Sequence, residues 1–307
     1  MTLVLGVFRT PASQDSIQPK DVSIIGNTLH CEDLHYHEAS KLLFTACEDV
    51  ESTRYSWFPP LANFNNPTAA SKARGNIRII DPRTLKARAL HFENFEPPFV
   101  THGIDIIDDP SRRKGEAVYV FAVNHKPSRE HFQKANASAP KSYSVVEVFH
   151  YVIGSDTVRH VRSVWDPLIA TPNDILALSP TSFFVTNDHY YRDGWLRMLE
   201  DLYYEAKWST TLYVEFSASA GSPTDDSYNV KASVALAGLH NNNGLGHGKT
   251  SQDVLLGSAA SGVLHLGTFE GMDSNSTARR IDVVESIELD STLTTRATFR
   301  TPSRMHI

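Results

Sequence analysis

Cysteine is scarce in this 307-residue chain, which contains only Cys31 and Cys47. No CxxC spacing occurs, and two cysteines are too few for a disulfide framework. Their separation allows one bridge between them, but two buried thiols are an equally good interpretation. The sequence therefore leaves the redox state of this pair open.

The chain also lacks an excess of basic charge and long apolar runs. Its net charge is −6 and its pI is near 6.1, which argues against nucleic acid or an acidic membrane surface as the partner. No apolar run has membrane-spanning length. Residues 3–8 are apolar, but the run is too short for a clear signal peptide and no basic residue precedes it. We interpret residues 1–19 as an N-terminal extension or the remnant of an anchor or signal.

A β-hairpin with polar ends is the most informative feature that the chain does contain. Ile175–Leu178 and Phe183–Val185 are apolar runs separated by a Ser-Pro turn, which predicts two paired strands. A hairpin brings its ends together, and here the ends carry Asn173, Asp174, Asn187, Asp188 and His189. Asn-Asp pairs are common turn formers, but two pairs on one hairpin favour a binding site. Their carboxylate and amide oxygens suit a hard cation such as calcium.

Two further polar clusters lie at predicted strand ends. Glu32 and Asp33 enter a strand, where adjacent side chains point to opposite sides, so they would serve two ions stacked along one axis. The alternative is an ordinary solvated acidic pair. His102 and His125 lie near the same end of a hairpin built from two strands, which makes them a candidate proton-transfer couple. The alternative is that each histidine is structural.

Short strands and turns run from about residue 20 to residue 289 and predict an all-β fold. The strand groups recur at roughly forty residues, the interval of β-propeller blades. In a propeller the inner strand ends converge on the central channel, where we expect Glu32, Asp33, His102, His125, Asn173, Asp174 and an Asn near 243. Residues 85–92 predict one strand and residues 54–75 a loop. Residues 194–208 predict a short helix, either a lid over one end of the fold or a surface helix packing its apolar stripe on the body.

Six motifs occur in the order seen in the paraoxonase/arylesterase family, which the chain resembles from about residue 20 to about residue 290. They are Cys31-Glu-Asp-Leu, Thr101-His-Gly-Ile, Val123-Asn-His, Asn173-Asp-Ile, Thr186-Asn-Asp-His-Tyr and Asn243-Gly-Leu. Each motif is weak by itself, but six in order with similar gaps are specific. The resemblance implies a six-bladed propeller that holds two calcium ions in its tunnel and hydrolyses lactones, aryl esters and, in some members, organophosphate triesters.

The resemblance also implies roles for individual residues. A catalytic calcium would be bound by Glu32, Asn173 and Asn243. A deeper structural calcium would be bound by Asp33, Asp174 and the backbone carbonyl of Ile104. His102 and His125 match the histidine couple proposed for the family, and Asp188 and His189 match a turn near the tunnel.

The chain departs from the family pattern after residue 293. The resemblance implies an Asp-Asn pair there that completes the catalytic calcium shell, but the sequence continues as Thr294-Thr-Arg. The strands of a last blade are missing, as is the late cysteine that vertebrate members pair with an early one. We therefore expect a propeller domain at residues 20–293, incomplete at its C-terminal end. We also expect a frameshift or a mis-predicted exon junction near residue 293, which gives an irregular, non-native tail at 294–307.

The sequence as a whole predicts a calcium-dependent arylesterase or lactonase acting on a small ester or lactone. One alternative is a calcium-stabilised propeller that only binds ligands, or an inactive truncated homologue. Another is a gluconolactonase-type enzyme with one divalent ion and no histidine couple. The family resemblance slightly favours a secreted or membrane-associated protein, and Asn136-Ala-Ser and Asn275-Ser-Thr match the glycosylation pattern.

Overall fold

The computed structural model describes residues 23–203, 205–217, 225–270 and 279–289. Within these ranges the strands, in chain order, are β1 Leu34–His37, β2 Leu42–Cys47, β3 Trp57–Phe58, β4 Asn63–Phe64, β5 Asn76–Asp81, β6 Lys86–Ala89, β7 His91–Glu93, β8 Thr101–Asp108, β9 Ala117–Pro127, β10 Ser142–Val152, β11 Thr157–Val164, β12 Pro172–Ser179, β13 Ser182–Asn187, β14 Ser209–Phe216, β15 Val230–Leu239, β16 Asn242–His247, β17 Asp253–Ser258, β18 Val263–Phe269 and β19 Ile281–Glu288. The helices are α1 Glu51–Ser56, α2 Pro67–Ala70, α3 Arg129–Phe132 and α4 Trp195–Leu202, with a 3-10 turn at Pro59–Leu61.

Four blade-like sheets form a β-propeller arrangement in the described residues. Their strand orders are β1-β2-β5-β6, β8-β9-β10-β11, β12-β13-β14-β15 and β16-β17-β18-β19, each an antiparallel meander. The propeller prediction is confirmed, with four blades in these ranges rather than six. The predicted interval of forty residues is wrong: the inner strands β1, β8, β12 and β16 begin about seventy residues apart. Strands of up to 11 residues and long connections lengthen each repeat.

Hydrophobic cores lie between neighbouring blades. Phe44 and Ile79 of the first blade pack with Val120 and Phe149 of the second, and equivalent clusters join the second to the third and the third to the fourth. Central strands are therefore covered on both faces, which explains their continuous apolar runs. Phe183 and Phe184 illustrate this, since one packs toward the second blade and the other toward the fourth.

The segments before and within the second blade differ from their predictions. Residues 85–92 are not one strand: β6 ends at Ala89, and β7 pairs in parallel with β11 at the outer edge of the next blade. Leu90, between them, is 3% exposed and packs into the core that joins the two blades. The predicted loop at 54–75 contains short elements around the fully buried Trp57, whose indole N–H donates to the carbonyl of His125 at 2.9 Å.

Helix α4 is shorter than its predicted range, and charged rather than apolar side chains face the body of the protein. Arg197 and Glu200 are buried, whereas Trp195, Met198 and Leu199 are exposed. The Glu200 carboxylate accepts the amides of the turn after β13 at 2.8 and 3.1 Å. The interpretation of a helix packing its apolar stripe on the body is therefore wrong.

Cys31 and Cys47 form a disulfide that ties the chain before β1 to the end of β2. Among the helices that the structure describes, none has the length and apolarity needed to cross a membrane. Asn136 of the first glycosylation triplet is exposed. The second triplet, the predicted extension at 1–19 and the predicted tail at 294–307 lie outside the described residues.

Candidate functional site

Irregular strand starts mark one end of the blades. The register of β8 shifts between Thr101 and Ile104, that of β12 between Pro172 and Ile175, and that of β16 between Asn242 and Gly244. Bulges of this kind re-aim side chains and are frequent beside active sites. They fall on the predicted positions His102, Asn173, Asp174 and Asn243, so the predicted residues share a distinctive backbone setting.

The two predicted catalytic histidines are in contact. His102 Nδ1 lies 3.0 Å from His125 Nε2, and both rings are 1% exposed. His102 Nε2 lies 3.1 Å from Glu32 Oε1, and His125 Nδ1 lies 2.8 Å from Ser144 Oγ. Phe58 contacts both rings edge-on, at centroid distances of 5.0 and 6.0 Å. These contacts form a continuous relay from the partly exposed Glu32 to the buried Ser144.

The chemistry of the partners fixes the hydrogens of this relay. An ionised carboxylate can only accept, so His102 Nε2 carries a hydrogen and donates it to Glu32. When both rings are neutral, His125 Nε2–H then donates to His102 Nδ1, and the Ser144 hydroxyl donates to His125 Nδ1. The orientation is opposite to the one that a general base needs at His102 Nε2, because that nitrogen must present a lone pair to take a proton.

The pKa values of Glu32 and His125 favour this direction of the hydrogen bonds. Burial raises the pKa of Glu32, but the neighbouring His102 and Arg54 outweigh it and lower the pKa to about 2. Burial, with the adjacent His102, holds the pKa of His125 well below its usual range. Glu32 is therefore ionised and His125 is neutral near pH 7.

Three aspartates connect the inner strands of successive blades in the same way. Asp33, Asp105 and Asp174 each accept a hydrogen bond from the next residue's amide, and each accepts a second from an amide of the following blade. The partners across the blade junctions are Ile104 at 3.0 Å, Ala177 at 2.7 Å and Leu245 at 2.7 Å, each 71 or 72 residues further along the chain. All three aspartates are at most 2% exposed.

The predicted ligands of the later blades lie beside those of the first two. A Cβ at Gly103 would overlap the carbonyl oxygen of Asn173 and lie 2.9 Å from Asp174 Oδ1, so this position requires glycine. Asp174 reaches Asn243 through Thr186, whose hydroxyl accepts the Asp174 amide at 3.0 Å and donates to the Asn243 carbonyl at 2.6 Å. Glu32, Asn173 and Asn243 thus lie at the same end of the blades rather than on separate faces.

Asp188 and His189 are part of the same buried cluster. Asp188 Oδ2 accepts from Asn173 Nδ2 at 3.0 Å. His189 Nδ1 lies 2.9 Å from Asp188 Oδ1 as an ion-pair contact whose angle is not that of a hydrogen bond, and its Nε2 contacts Asp201 of α4. Burial lowers the pKa of His189, but Asp188 and Asp201 outweigh it and raise the pKa to about 9. His189 therefore connects helix α4 to the cluster as a cation.

The donor chemistry of this end suits a hard cation. Burial and the nearby charge of Asp33 raise the pKa of Asp174 well above its usual range, and a divalent ion between such carboxylates would reverse that effect. Across the four described ranges, no group of three or more His, Cys, Asp or Glu side chains converges tightly enough to hold an ion. An ion here would therefore rely on amide and backbone oxygens as well, which is the ligand set predicted from the sequence.

Sequence reasoning missed several members of the cluster. Ser144 and Arg54 contact predicted residues but lie in segments without a local motif. Thr186 begins one of the six motifs, but no role was predicted for its hydroxyl. Asp105 had a usable signal, because it follows Asp33 by the same interval that separates the bonded partners. Burial of His35 lowers its pKa, but Asp33 and Asp105 outweigh that effect and hold the pKa well above the usual range.

The sequence profile of the arylesterase family matches residues 67–220. Serum paraoxonase/arylesterase 2 of Gallus gallus is 33% identical over 160 residues, and the Homo sapiens protein of the same name is 30% identical over 160 residues. Each match covers 51% of this chain and 38% of the relative. Serum paraoxonase/arylesterase 1 of Mus musculus is 33% identical over 124 residues, covering 40% of this chain and 28% of the relative. The chain thus matches less than half the length of these curated relatives.

Proposed function

The chain belongs to the arylesterase family, and on that premise we propose that it hydrolyses small esters or lactones with the help of calcium. The proposal rests on the buried contact between His102 and His125 and on the contact of His102 with Glu32 at the same end of the blades. Carboxylic esters and lactones are the proposed substrates, with phosphotriesters as a further class. The relatives' printed name, paraoxonase/arylesterase, supports the aryl esters among these substrates.

Calcium is proposed on two sets of oxygen donors. Glu32, Asn173 and Asn243 would hold the catalytic ion; Asp33, Asp174 and the carbonyl of Ile104 would hold the structural ion. A bound catalytic calcium would act as a Lewis acid on the carbonyl or phosphoryl oxygen and stabilise the developing oxyanion. Asp188 supports the site by holding the Asn173 amide at 3.0 Å.

The histidines supply proton transfer in the proposed reaction. His102 takes a proton from the attacking water as the water oxygen bonds to the carbonyl carbon, which gives a tetrahedral oxyanion. The oxyanion then breaks the C–O bond to the leaving group, and the protonated His102 returns its proton to the departing alkoxide or phenoxide. His125 supports His102 by accepting its Nδ1 hydrogen, which requires the relay to run in the opposite direction to the one described above. Ser144 can follow this reversal because a hydroxyl both donates and accepts. Burial by Phe58 and Trp57 keeps competing water from the couple.

We propose a secreted or membrane-associated location. The disulfide between Cys31 and Cys47 supports an oxidising compartment, and the exposed Asn136 is accessible for glycosylation there. The partner proposed is a small-molecule substrate.

Calcium-dependent hydrolysis of phenyl acetate or a γ-lactone, abolished by a chelator and restored by calcium, tests the proposal. Glu32→Gln should abolish turnover with little change in the circular dichroism spectrum, and His102→Gln should reduce lactonase activity. Calcium binding without turnover would instead favour a ligand-binding propeller. Unchanged rates for His102→Gln would favour a gluconolactonase-type mechanism without a histidine couple.

A further inference from the structure

Glu48 is an unusual carboxylate close to the proposed site. It follows Cys47 at the end of β2, is 0% exposed, and neither side-chain oxygen has a hydrogen-bond partner of normal geometry. Burial raises its pKa to about 7, although Arg54 and the Thr101 amide partly offset that effect. A buried carboxylate without hydrogen bonds is costly, so we expect Glu48 to gain a closer contact with Arg54 in some state of the protein.

Arg54 lies between Glu48 and Glu32. Its Nη1 is 2.5 Å from Glu32 Oε2, whereas its Nη2 donates to the His30 carbonyl at 3.0 Å and is 3.7 Å from Glu48 Oε1. The guanidinium carbon is 3.8 Å from the centre of the Phe58 ring, and the side chain is 10% exposed. The guanidinium therefore binds one carboxylate and needs to move by about 1 Å to bind the other.

Both oxygens of Glu32 are occupied in this arrangement. Oε2 is bound by Arg54 and Oε1 by His102. A divalent cation that binds Glu32 would meet the positive charge of Arg54 at contact distance, and two cations that share one carboxylate repel each other. Binding of a cation to Glu32 is therefore favoured when Arg54 leaves it.

We propose that Arg54 is the charge switch of the candidate calcium site, bound to Glu32 while the site lacks a cation and transferred to Glu48 when calcium binds Glu32. The inference rests on the proposed function. Glu48 is the acceptor because it is buried, already 3.7 Å from Arg54, and its oxygens accept no hydrogen bond. Asp49, the next carboxylate along the chain, instead accepts the amide of Arg74 at 2.9 Å. Phe58 gives the guanidinium an aromatic face on which it stays stacked in both positions.

The switch makes calcium affinity depend on Glu48, although Glu48 is not a ligand. Without Glu48, the displaced Arg54 has no buried acceptor. The cation-bound state then loses a close ion pair, whereas the cation-free state loses only a 3.7 Å contact. Glu48→Gln should therefore weaken calcium binding by about tenfold or more, the scale of one close buried charge pair. Glu51→Gln removes a charge from the exposed first turn of α1 and serves as the matched control.

Isothermal titration with calcium alone, on the full chain, tests the switch. Glu48→Gln should weaken binding, Glu51→Gln should bind as the wild type does, and the Glu48→Gln effect should shrink in an Arg54→Met background, where nothing needs to be transferred. Wild-type affinity in Glu48→Gln would overturn the switch while leaving the proposed function intact. No calcium binding by the wild type would overturn both.

A second measurement follows calcium binding in the wild-type chain and uses a variant only to assign signals. The guanidinium nitrogen signals of Arg54, assigned by their loss in Arg54→Lys, should shift in a ¹⁵N spectrum as calcium is added. Calcium uptake with unchanged Arg54 signals would overturn the switch, because the guanidinium would have kept its partner.

Discussion

Asp105 and Ala177 are joined across a blade junction: the Asp105 carboxylate accepts the Ala177 amide at 2.7 Å although the two residues are 72 positions apart. The same carboxylate contacts His247 at 2.8 Å and His35 at 3.2 Å. Unlike Asp33 and Asp174, Asp105 is not a proposed calcium ligand. A substitution at Asp105 therefore tests the structural role of these aspartates separately from any role in cation binding.

Asp105→Ala should lower the free energy of unfolding by about 3 to 5 kcal/mol. It leaves the buried Ala177 amide without its acceptor and removes one of the two carboxylates that contact the buried His35. Chemical denaturation measured by tryptophan fluorescence checks this. Asp282→Ala, on the exposed face of β19, should change stability by less than about 0.5 kcal/mol. Equal stability of Asp105→Ala and wild type would show that the inter-blade hydrogen bonds do not stabilise the fold.

Loss of the disulfide should also destabilise the chain. Cys31 and Cys47 are separated by 16 residues, and closing a loop of that size is worth about 3 kcal/mol. Replacing both cysteines by serine should lower the free energy of unfolding by about that amount. A reductant should destabilise the wild type and leave the double variant unchanged, and a reductant effect on both would assign the loss to another cause.

Ser144→Ala should lower the hydrolysis rate by about ten- to a hundredfold, since His125 then loses the hydroxyl that accepts its Nδ1 hydrogen when the relay reverses. The loss should appear in kcat rather than KM, because Ser144 contacts His125 and not the substrate. Ser142→Ala, two residues earlier on the same strand, is the control and should retain activity. A hydrolysis rate of Ser144→Thr close to that of the wild type would confirm that the hydroxyl is the group required.

His189 should make stability fall as pH rises. Its pKa is about 9 in the folded chain against about 6.5 when unfolded, so its stabilisation is complete below pH 6.5 and is lost as pH rises through 9. The loss should be at most about 3 kcal/mol. Denaturation at a series of pH values checks the slope, which His189→Gln and Asp188→Asn should both flatten. A slope that persists in both variants would assign the pH dependence to other groups.

The sequence located the strands better than it located their partners. The apolar runs predicted at Ile175–Leu178 and Phe183–Val185 lie within β12 and β13, because burial on both faces gives a continuous apolar signal. The single strand predicted for residues 85–92 was wrong, because apolar and polar residues keep alternating where the chain leaves one blade and joins the next. The predicted packing of helix α4 was wrong for another reason. Its charged residues have partners on the body, and these contacts outweigh the usual preference for apolar contact.

The sequence by itself determined the fold class and the end of the blades where chemistry would concentrate. Alternation, turns and motifs are local signals, and they fixed His102, His125, Asn173 and Asp174 at strand ends. The tertiary structure alone decided which of these side chains meet, that Arg54 pairs with Glu32, and that Glu48 is buried without a hydrogen bond. Those facts depend on contacts between segments tens of residues apart, for which one sequence carries no local pattern.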